Sequence, residues 1–271
     1  MNVMNDLRIT LIQTDLFWED KEKNLEQFSE KIKAISEPTD IIILPEMFST
    51  GFSMNPKKLA EGMNGETVGW MKEKAREKNC VITGSFICEE DGNYYNRLLW
   101  IHPDGSYSKY DKRHLFSMGD EHNHYAAGEE KLIVRYKDWK ICPLICYDLR
   151  FPVWARNTKE ASYDVLIYVA NWPERRSHPW KTLLLARAIE NQCYVVGSNR
   201  VGDDGNAIPH SGDSAVINPK GEIISKIKPH EKATETITLS YAELNEFRKQ
   251  FPAIQDADRF EIKSMKTSVI V

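Results

Sequence analysis

The chain carries little that would attach it to nucleic acid or a membrane. Lysine and arginine number 36 against 40 acidic residues, a formal net charge of −4, so no broad positive field awaits a phosphate backbone. No apolar run approaches the length needed to cross a bilayer, and the stretch from Met1 to Arg8 lacks the basic region and apolar core of a secretory signal. A cytoplasmic location is therefore expected. Cysteine is scarce and odd in number: of Cys80, Cys88, Cys142, Cys146 and Cys193, three (Cys80, Cys88, Cys193) lie in or beside apolar segments. That pattern reads as reduced thiols, not as a disulfide framework. Gly-x-Ser-x-Gly, Gly-x-Gly-x-x-Gly and phosphate-loop patterns are missing, so neither a serine nucleophile elbow nor a nucleotide cofactor is implied. His122 and His124 alternate in one loop, but no further Cys/His spacing completes a zinc site. No cofactor is expected. No Pro/Ser-rich linker, low-complexity tract or fixed-period repeat divides the chain, which points to one domain over residues 1–271.

What is present is an ordinary globular composition, 41% hydrophobic and 28% charged, able to bury a sizeable core. Leu7 to Thr14 reads as a strand. Lys21 to Ile35 carries Leu25, Phe28, Ile32 and Ile35 at helical spacing, and Ile41 to Leu44 supplies a fully apolar strand. A second helix and strand follow in Thr67 to Lys78 and Cys80 to Cys88. From Tyr94 to Lys112 the pattern changes to a hairpin about Pro103-Asp104-Gly105, and a long polar segment from Arg113 to Glu130 follows, of a length often functional in compact domains. Leu132 to Tyr136 and Trp139 to Ile145 predict another hairpin. Helices are predicted over Phe151 to Ala161, Trp180 to Asn191 and Tyr241 to Arg248, and strands over Val165 to Ala170, Tyr194 to Ser198, Ala215 to Ile217, Glu222 to Ile227 and Thr234 to Leu239. Such alternation gives an α/β layered protein, and its two similar halves could supply two packed sheets with helices outside. The tail from about residue 250 is irregular and is expected to pack on the body or on a partner subunit.

Three segments end abruptly at reactive groups. Asp40-Ile41-Ile42-Ile43-Leu44-Pro45 runs out at the carboxylate of Glu46, Tyr107-Ser108-Lys109-Tyr110-Asp111 at the ammonium of Lys112, and an apolar run through Leu144-Ile145 at the thiol of Cys146. Brought together, an acid/base, a cation and a thiol suffice for covalent catalysis on an acyl group. A helix starting near Phe151 would present its positive end to the thiol. Thioredoxin-like chemistry is the weaker reading, because Cys142 and Cys146 have three residues between them where that motif has two. Downstream, the segment from Asn171 to His178 contains Trp172, Arg175 and Arg176, so an aromatic wall and a guanidinium could face the thiol, and arginine matches a carboxylate bidentately.

In that order, Pro45-Glu46-Met47-Phe48, Tyr110-Asp111-Lys112-Arg113-His114-Leu115-Phe116 and Cys146-Tyr147-Asp148-Leu149-Arg150-Phe151-Pro152 resemble the nitrilase superfamily of carbon–nitrogen hydrolases. The resemblance continues through Ala170-Asn171-Trp172-Pro173, Ala186-Arg187-Ala188-Ile189-Glu190-Asn191, Gly212-Asp213-Ser214 and Asn218-Pro219-Lys220-Gly221-Glu222, and within the superfamily the chain looks most like the omega-amidases. It implies a four-layer αββα sandwich of two mixed sheets with helices outside, and a homodimer or larger homo-oligomer. It also implies that Glu46 is the general base, that Lys112 and the backbone N–H of Tyr147 stabilise the oxyanion, and that Cys146 is the nucleophile. A second glutamate belongs in the loop after the lysine: Glu121, seven residues before Gly128, fits, with Glu129 and Glu130 as nearby rivals. The implied substrates are small acidic amides such as 2-oxoglutaramate and 2-oxosuccinamate. The alternatives are a nitrilase, an N-carbamoyl amine or amino-acid hydrolase, and a binding module of the same fold without turnover.

Overall fold

The computed structural model describes residues 6–262. In chain order the first half comprises β1 (Leu7–Gln13), α1 (Lys21–Ala34), β2 (Ile41–Ile43), α2 (Pro56–Leu59), α3 (Glu66–Lys78), β3 (Val81–Glu90), β4 (Asn93–Ile101) and β5 (Tyr107–Asp111). The second comprises β6 (Val134–Tyr136), β7 (Trp139–Ile145), α4 (Pro152–Ala155), β8 (Val165–Ala170), α5 (Ser177–Asn191), β9 (Tyr194–Asn199), β10 (Val201–Asp203), β11 (Pro209–Ser211), β12 (Ala215–Ile217), β13 (Ala233–Leu239) and α6 (Tyr241–Gln250).

These strands form a six-stranded sheet ordered β13-β1-β2-β3-β4-β5, a five-stranded sheet ordered β12-β9-β8-β7-β6, and the small β10-β11 pair. Both large sheets are mixed. The helical connections make β1-β2-β3 and β7-β8-β9 parallel, while the hairpins add antiparallel neighbours at the sheet edges.

Side-chain alternation produces the layers. Leu7, Ile9 and Leu11 of β1, with Ile41 and Ile43 of β2, face a core shared with Ile141, Leu144, Ile167 and Val195 of the other sheet. Ile12 and Ile42 point the opposite way, onto Leu25, Phe28 and Ile32 of α1 and Val68 and Met71 of α3. On the far side, a Cβ at Gly197 of β9 would come within 2.6 Å of Leu184, so its glycine lets α5 lie close on the sheet. The order is therefore helix, sheet, sheet, helix, as the resemblance implied.

Two elements depart from the sequence reading. The helix anticipated from Phe151 to Ala161 stops after four residues, because Asn157 takes over the backbone that a longer helix would need. Its amide donates to the carbonyls of Tyr163 (2.9 Å) and Asn191 (3.0 Å), its carbonyl accepts from Tyr163 N–H (3.0 Å), and its own N–H donates to the Asn191 side chain (2.9 Å). The strand anticipated from Glu222 to Ile227 is reduced to a single bridge between Ile217 and Ile223. There the Ser225 hydroxyl accepts the Val216 N–H at 3.0 Å, so a side chain replaces a ladder bond. The β10-β11 hairpin went unread, its three-residue strands being rich in Gly, Asp and Pro.

The segment after α6 rests on the same chain: Phe251 and Gln255 carbonyls accept from Gln192 and Lys159, at 2.6 Å each. The rest of the anticipated tail, 263–271, lies outside the described residues. Among the described residues, no helix is long and apolar enough to cross a membrane.

A methyl group at Gly84 of β3 would stand 2.8 Å from Leu44 Cβ and 3.1 Å from the Phe48 ring, on the two sides of Glu46. Gly84→Ala is expected to destabilise the fold by about 1–3 kcal/mol through overpacking. Denaturant midpoints for the two proteins check this, with an unchanged midpoint as the contrary result.

Candidate active site

Each anticipated residue is set by what ends its strand. After β2 the chain turns at Met47, whose φ is +43° and whose N–H donates to Ser85 Oγ at 2.9 Å, which leaves the preceding Glu46 side chain inside the protein. Lys112 follows β5, and its N–H donates to the Asn96 carbonyl of β4 at 3.0 Å. Cys146 follows β7 with φ +42°, in a conformation that non-glycine residues rarely adopt, at the start of a tight 3-10 turn ending at Arg150. The buried Asp148 holds that turn. Its carboxylate accepts Ile145 N–H (3.0 Å), Tyr110 O–H (2.7 Å), His114 N–H (3.0 Å) and the His114 ring at Nδ1 (2.8 Å).

Glu46, Lys112 and Glu121 are each wholly buried and form one cluster. Lys112 Nζ donates to Glu46 Oε1 at 2.8 Å and to both oxygens of Glu121 at 3.1 and 2.9 Å, and it lies 5.2 Å from the centre of the Phe52 ring. Glu46 Oε2 accepts the Asn171 N–H at 2.8 Å, while Glu121 Oε2 accepts the Phe116 N–H at 2.6 Å. Asn96 donates to both carboxylates, at 2.8 Å to Glu46 and 3.1 Å to Glu121. Of the three glutamates considered for the loop, Glu121 occupies this cluster, whereas Glu129 and Glu130 are exposed. Burial, and then Lys112 as an opposing influence, act on Glu121, with the net effect of raising its carboxyl; the two carboxylates hold the Lys112 ammonium firmly protonated against its burial.

Burial pushes the Cys146 thiol well above the ordinary range, and the Glu46 charge beside it adds to the rise. This reverses the expectation of a positive helix end: α4 is one short turn, and the nearest charges include two carboxylates. The resting sulfur is a thiol whose proton has Glu46 as its neighbour. Cys142, by contrast, is sealed in the core between the sheets with its thiol pushed up to about 12, and all five cysteines are free.

Cys146 and Lys112 open onto a cavity of about 680 Å³ whose wall includes Trp172, Arg175 and Arg176. Trp172 is buried, and its indole N–H donates to the Arg176 carbonyl at 2.7 Å, which ties the aromatic wall to the arginine turn. Arg176 is half-buried over the Phe116 ring at 5.0 Å, and Arg175 is more exposed. The structure adds Arg150, which stacks on Trp172 at 5.1 Å and lines the same cavity. Its position in Cys146-Tyr147-Asp148-Leu149-Arg150 was visible, but a tight turn that swings it back toward the thiol was not.

The charges of the cavity are unevenly neutralised. Glu19 accepts from Ser53 (2.7 Å) and Lys58 (3.3 Å), and Asp204 caps its own hairpin by accepting from Asn206 and Ile208 N–H. The guanidinium groups of Arg150, Arg175 and Arg176 have no carboxylate partner among the described residues. Desolvation and the like charges of Arg175 and Arg150 lower the Arg176 pKa, as expected for a cation cluster lacking its anion.

The carbon–nitrogen hydrolase family model matches residues 8–249. The omega-amidase YafV of Escherichia coli is 48% identical over 96% of this chain and 100% of its own length. The 2-oxoglutaramate amidase of Bacillus subtilis is 31% identical over 92% of this chain and 96% of its own. Among solved structures, XC1258 from Xanthomonas campestris, described as a CN-hydrolase superfamily protein with an arsenic adduct in the active site, superposes with a TM-score of 0.93 at 45% identity, over 96% of this chain and 100% of that one.

With the Cys146 thiol raised above its usual 9.0, the ultraviolet thiolate difference between wild type and Cys146→Ser is expected to show no step below that pH. A step near neutrality would mean that the sulfur rests as a thiolate.

Proposed function

The chain belongs to the carbon–nitrogen hydrolase family, has the layered fold of the nitrilase superfamily and is an amidohydrolase acting on non-peptide carbon–nitrogen bonds of small molecules; from that premise we propose that it is an omega-amidase. It would cleave the terminal carboxamide of a short 2-oxo acid, 2-oxoglutaramate or 2-oxosuccinamate, to the acid and ammonia through a thioester on Cys146. The observation that carries this reading is the cavity itself: the Cys146 thiol and the Lys112 ammonium line it, Glu46 is bonded behind that ammonium, and its wall carries three arginines with no carboxylate partner among the described residues. The names of the Escherichia coli and Bacillus subtilis relatives agree with it.

The chemistry follows from the contacts. Cys146 Sγ attacks the amide carbon as its proton passes to Glu46, whose Oε1 is held by Lys112 and Asn96 and whose Oε2 is held by Asn171. The oxyanion that forms meets the Lys112 ammonium and the backbone N–H of Tyr147, two donors fixed before the charge develops. Glu46 returns the proton to the amide nitrogen, the C–N bond breaks, and ammonia leaves a thioester. Water then attacks the thioester carbon, giving one proton to Glu46, and the C–S bond breaks as Glu46 returns that proton to Cys146 Sγ, which releases the acid and restores the thiol and the carboxylate. Glu121, bonded to Lys112 through both oxygens, keeps the ammonium in place and orients amide or water. Meanwhile a substrate carboxylate pairs with Arg176, with Arg150 and Arg175 adding positive field and Trp172 an apolar wall.

Assembly as a homodimer belongs to the same proposal, supported by the apolar side chains of Val153, Ile189 and Ile223, which stand exposed. Light scattering is expected to return about twice the chain mass of 31.3 kDa, and a monomer mass would remove this part alone.

Ammonia release is expected from 2-oxoglutaramate and not from an aliphatic nitrile or an N-carbamoyl amine; inactivity on the first would refute the substrate assignment. Cys146→Ala is expected to form no acyl adduct by intact mass, and Glu46→Gln to lower kcat by about 10²–10⁴-fold. Arg176→Ala removes a charged hydrogen-bonding partner worth about 1.5–3 kcal/mol, which should appear as a raised KM for acidic amides and little change for neutral ones.

A further inference from the structure

Asn96 sits on β4, nearly fully buried, with both of its side-chain N–H groups directed into the ion cluster. One Nδ2 atom lies 2.8 Å from Glu46 Oε1 and 3.1 Å from Glu121 Oε1, so a single amide bridges two carboxylates. Its Oδ1 is buried without a hydrogen-bond partner among the described residues. Turning the amide over would press that oxygen against two anions, so the electrostatics fix which way it faces. Its backbone carbonyl, by contrast, accepts the Lys112 N–H at 3.0 Å, so the side-chain oxygen alone goes unused.

The charge balance makes this contact consequential. Two carboxylates and one ammonium, all wholly buried, leave a net negative charge, and like charges a few ångströms apart tend to retain one shared proton. Lys112 spends one contact on Glu46 and two on Glu121. The other groups packed on the pair are Cys146 from the end of β7, the Asn171 N–H from the end of β8, the Phe116 N–H, and Tyr125, whose hydroxyl donates to the Ser53 carbonyl and whose ionisation is suppressed by burial. Arg176 influences Cys146 from across the cavity, and Glu19 is tied to Ser53 and Lys58. Where the two Oε1 atoms approach each other, the donors are Lys112 and Asn96.

We propose that Asn96 is a positioning residue of the general base, an uncharged second bridge that lets Glu46 and Glu121 remain ionised together beside one ammonium. Without it, a proton lodges between the two Oε1 atoms and Glu46 cannot accept the thiol proton. The inference rests on the catalytic reading above for the role of Glu46, but not on the identity of the substrate.

Alkylation of Cys146 by iodoacetamide, followed by intact mass from about pH 5 to 9, tests it without any amide. A thiol that reacts with the help of a carboxylate base is expected to slow on the acid side of such a profile. In Asn96→Leu that acid limb is expected to move up by about one pH unit or more, which at a pH below the limb is about a tenfold slower reaction. Infrared difference spectra of the same variant should show a protonated-carboxyl band at neutral pH. Asn96→Leu combined with Glu121→Gln removes the competing carboxylate, so the band should vanish and the limb should return toward the wild-type position. Asn96→Ser, which keeps one donor, should fall between the two and serves if the leucine variant does not fold. A limb that stays in place in the folded Asn96 variants, with only the melting temperature lowered, would reduce Asn96 to a packing role and overturn the proposal. If the wild-type thiol shows no acid limb at all, the base assignment and this inference fall together, whereas inactivity on 2-oxo acid amides leaves the alkylation result standing.

Discussion

A lysine ammonium buried between two glutamates is the constraint around which the rest of this protein is arranged. Desolvating three charges is costly unless each finds partners, and here every carboxylate oxygen in the cluster accepts at least one hydrogen bond. The partners come from far apart in the chain: Glu46 from the end of β2, Asn96 from β4, Lys112 from the end of β5, Glu121 from the following loop and Asn171 from the end of β8. The cluster therefore ties the two large sheets together at the same place where it sets a carboxylate and an ammonium beside the Cys146 thiol. Its burial also sets the charge states, since the two carboxylates hold Lys112 protonated against desolvation while the same burial raises the Cys146 thiol.

The placement of the Cys146 thiol depends on a third buried carboxylate. Asp148 holds the turn after Cys146 by accepting from the backbone just before the thiol and from the Tyr110 and His114 groups that flank Lys112. The strained φ of Cys146 is sustained because that network over-determines the turn. One consequence is that the motif around Lys112 and the motif around Cys146 are a single structural unit: Tyr110 binds Asp148, and Trp154 donates to the Tyr110 hydroxyl at 3.0 Å. The turn also throws Arg150 across Trp172, so the residues that fix the thiol and those that line the cavity wall share five consecutive positions.

Much of the fold was legible because the signals were strong and local. Short apolar runs rich in β-branched residues, such as Ile41–Ile43 and Val165–Ala170, read as buried strands, and Leu25, Phe28 and Ile32 repeat at the helical period, so β2, β8 and α1 were foreseen within a residue or so. The errors occurred where one side chain overrode the pattern. Asn157 ends α4 by capturing backbone groups from Tyr163 and Asn191, and Ser225 substitutes for a ladder bond, and neither act leaves a periodic trace. In the site, Glu46, Lys112 and Cys146 stood out because each interrupts an apolar or alternating run. Asn96 did not, since it lies inside β4, where a buried asparagine looks like any inward-facing position until its two acceptors are known.

By itself the sequence determined the layered α/β class, the family and the order of acid, lysine and thiol, because these rest on periodicity and on short motifs that survive in one dimension. Only the tertiary structure decided which glutamate of the loop joins Lys112, that Arg150 belongs to the cavity, and that the thiol faces carboxylates and not the positive end of a helix. The reason is physical: a local pattern fixes whether a residue is buried, but its ionisation and its partners are set by groups delivered from other strands, at distances of about 3 Å, once the two sheets have closed on each other.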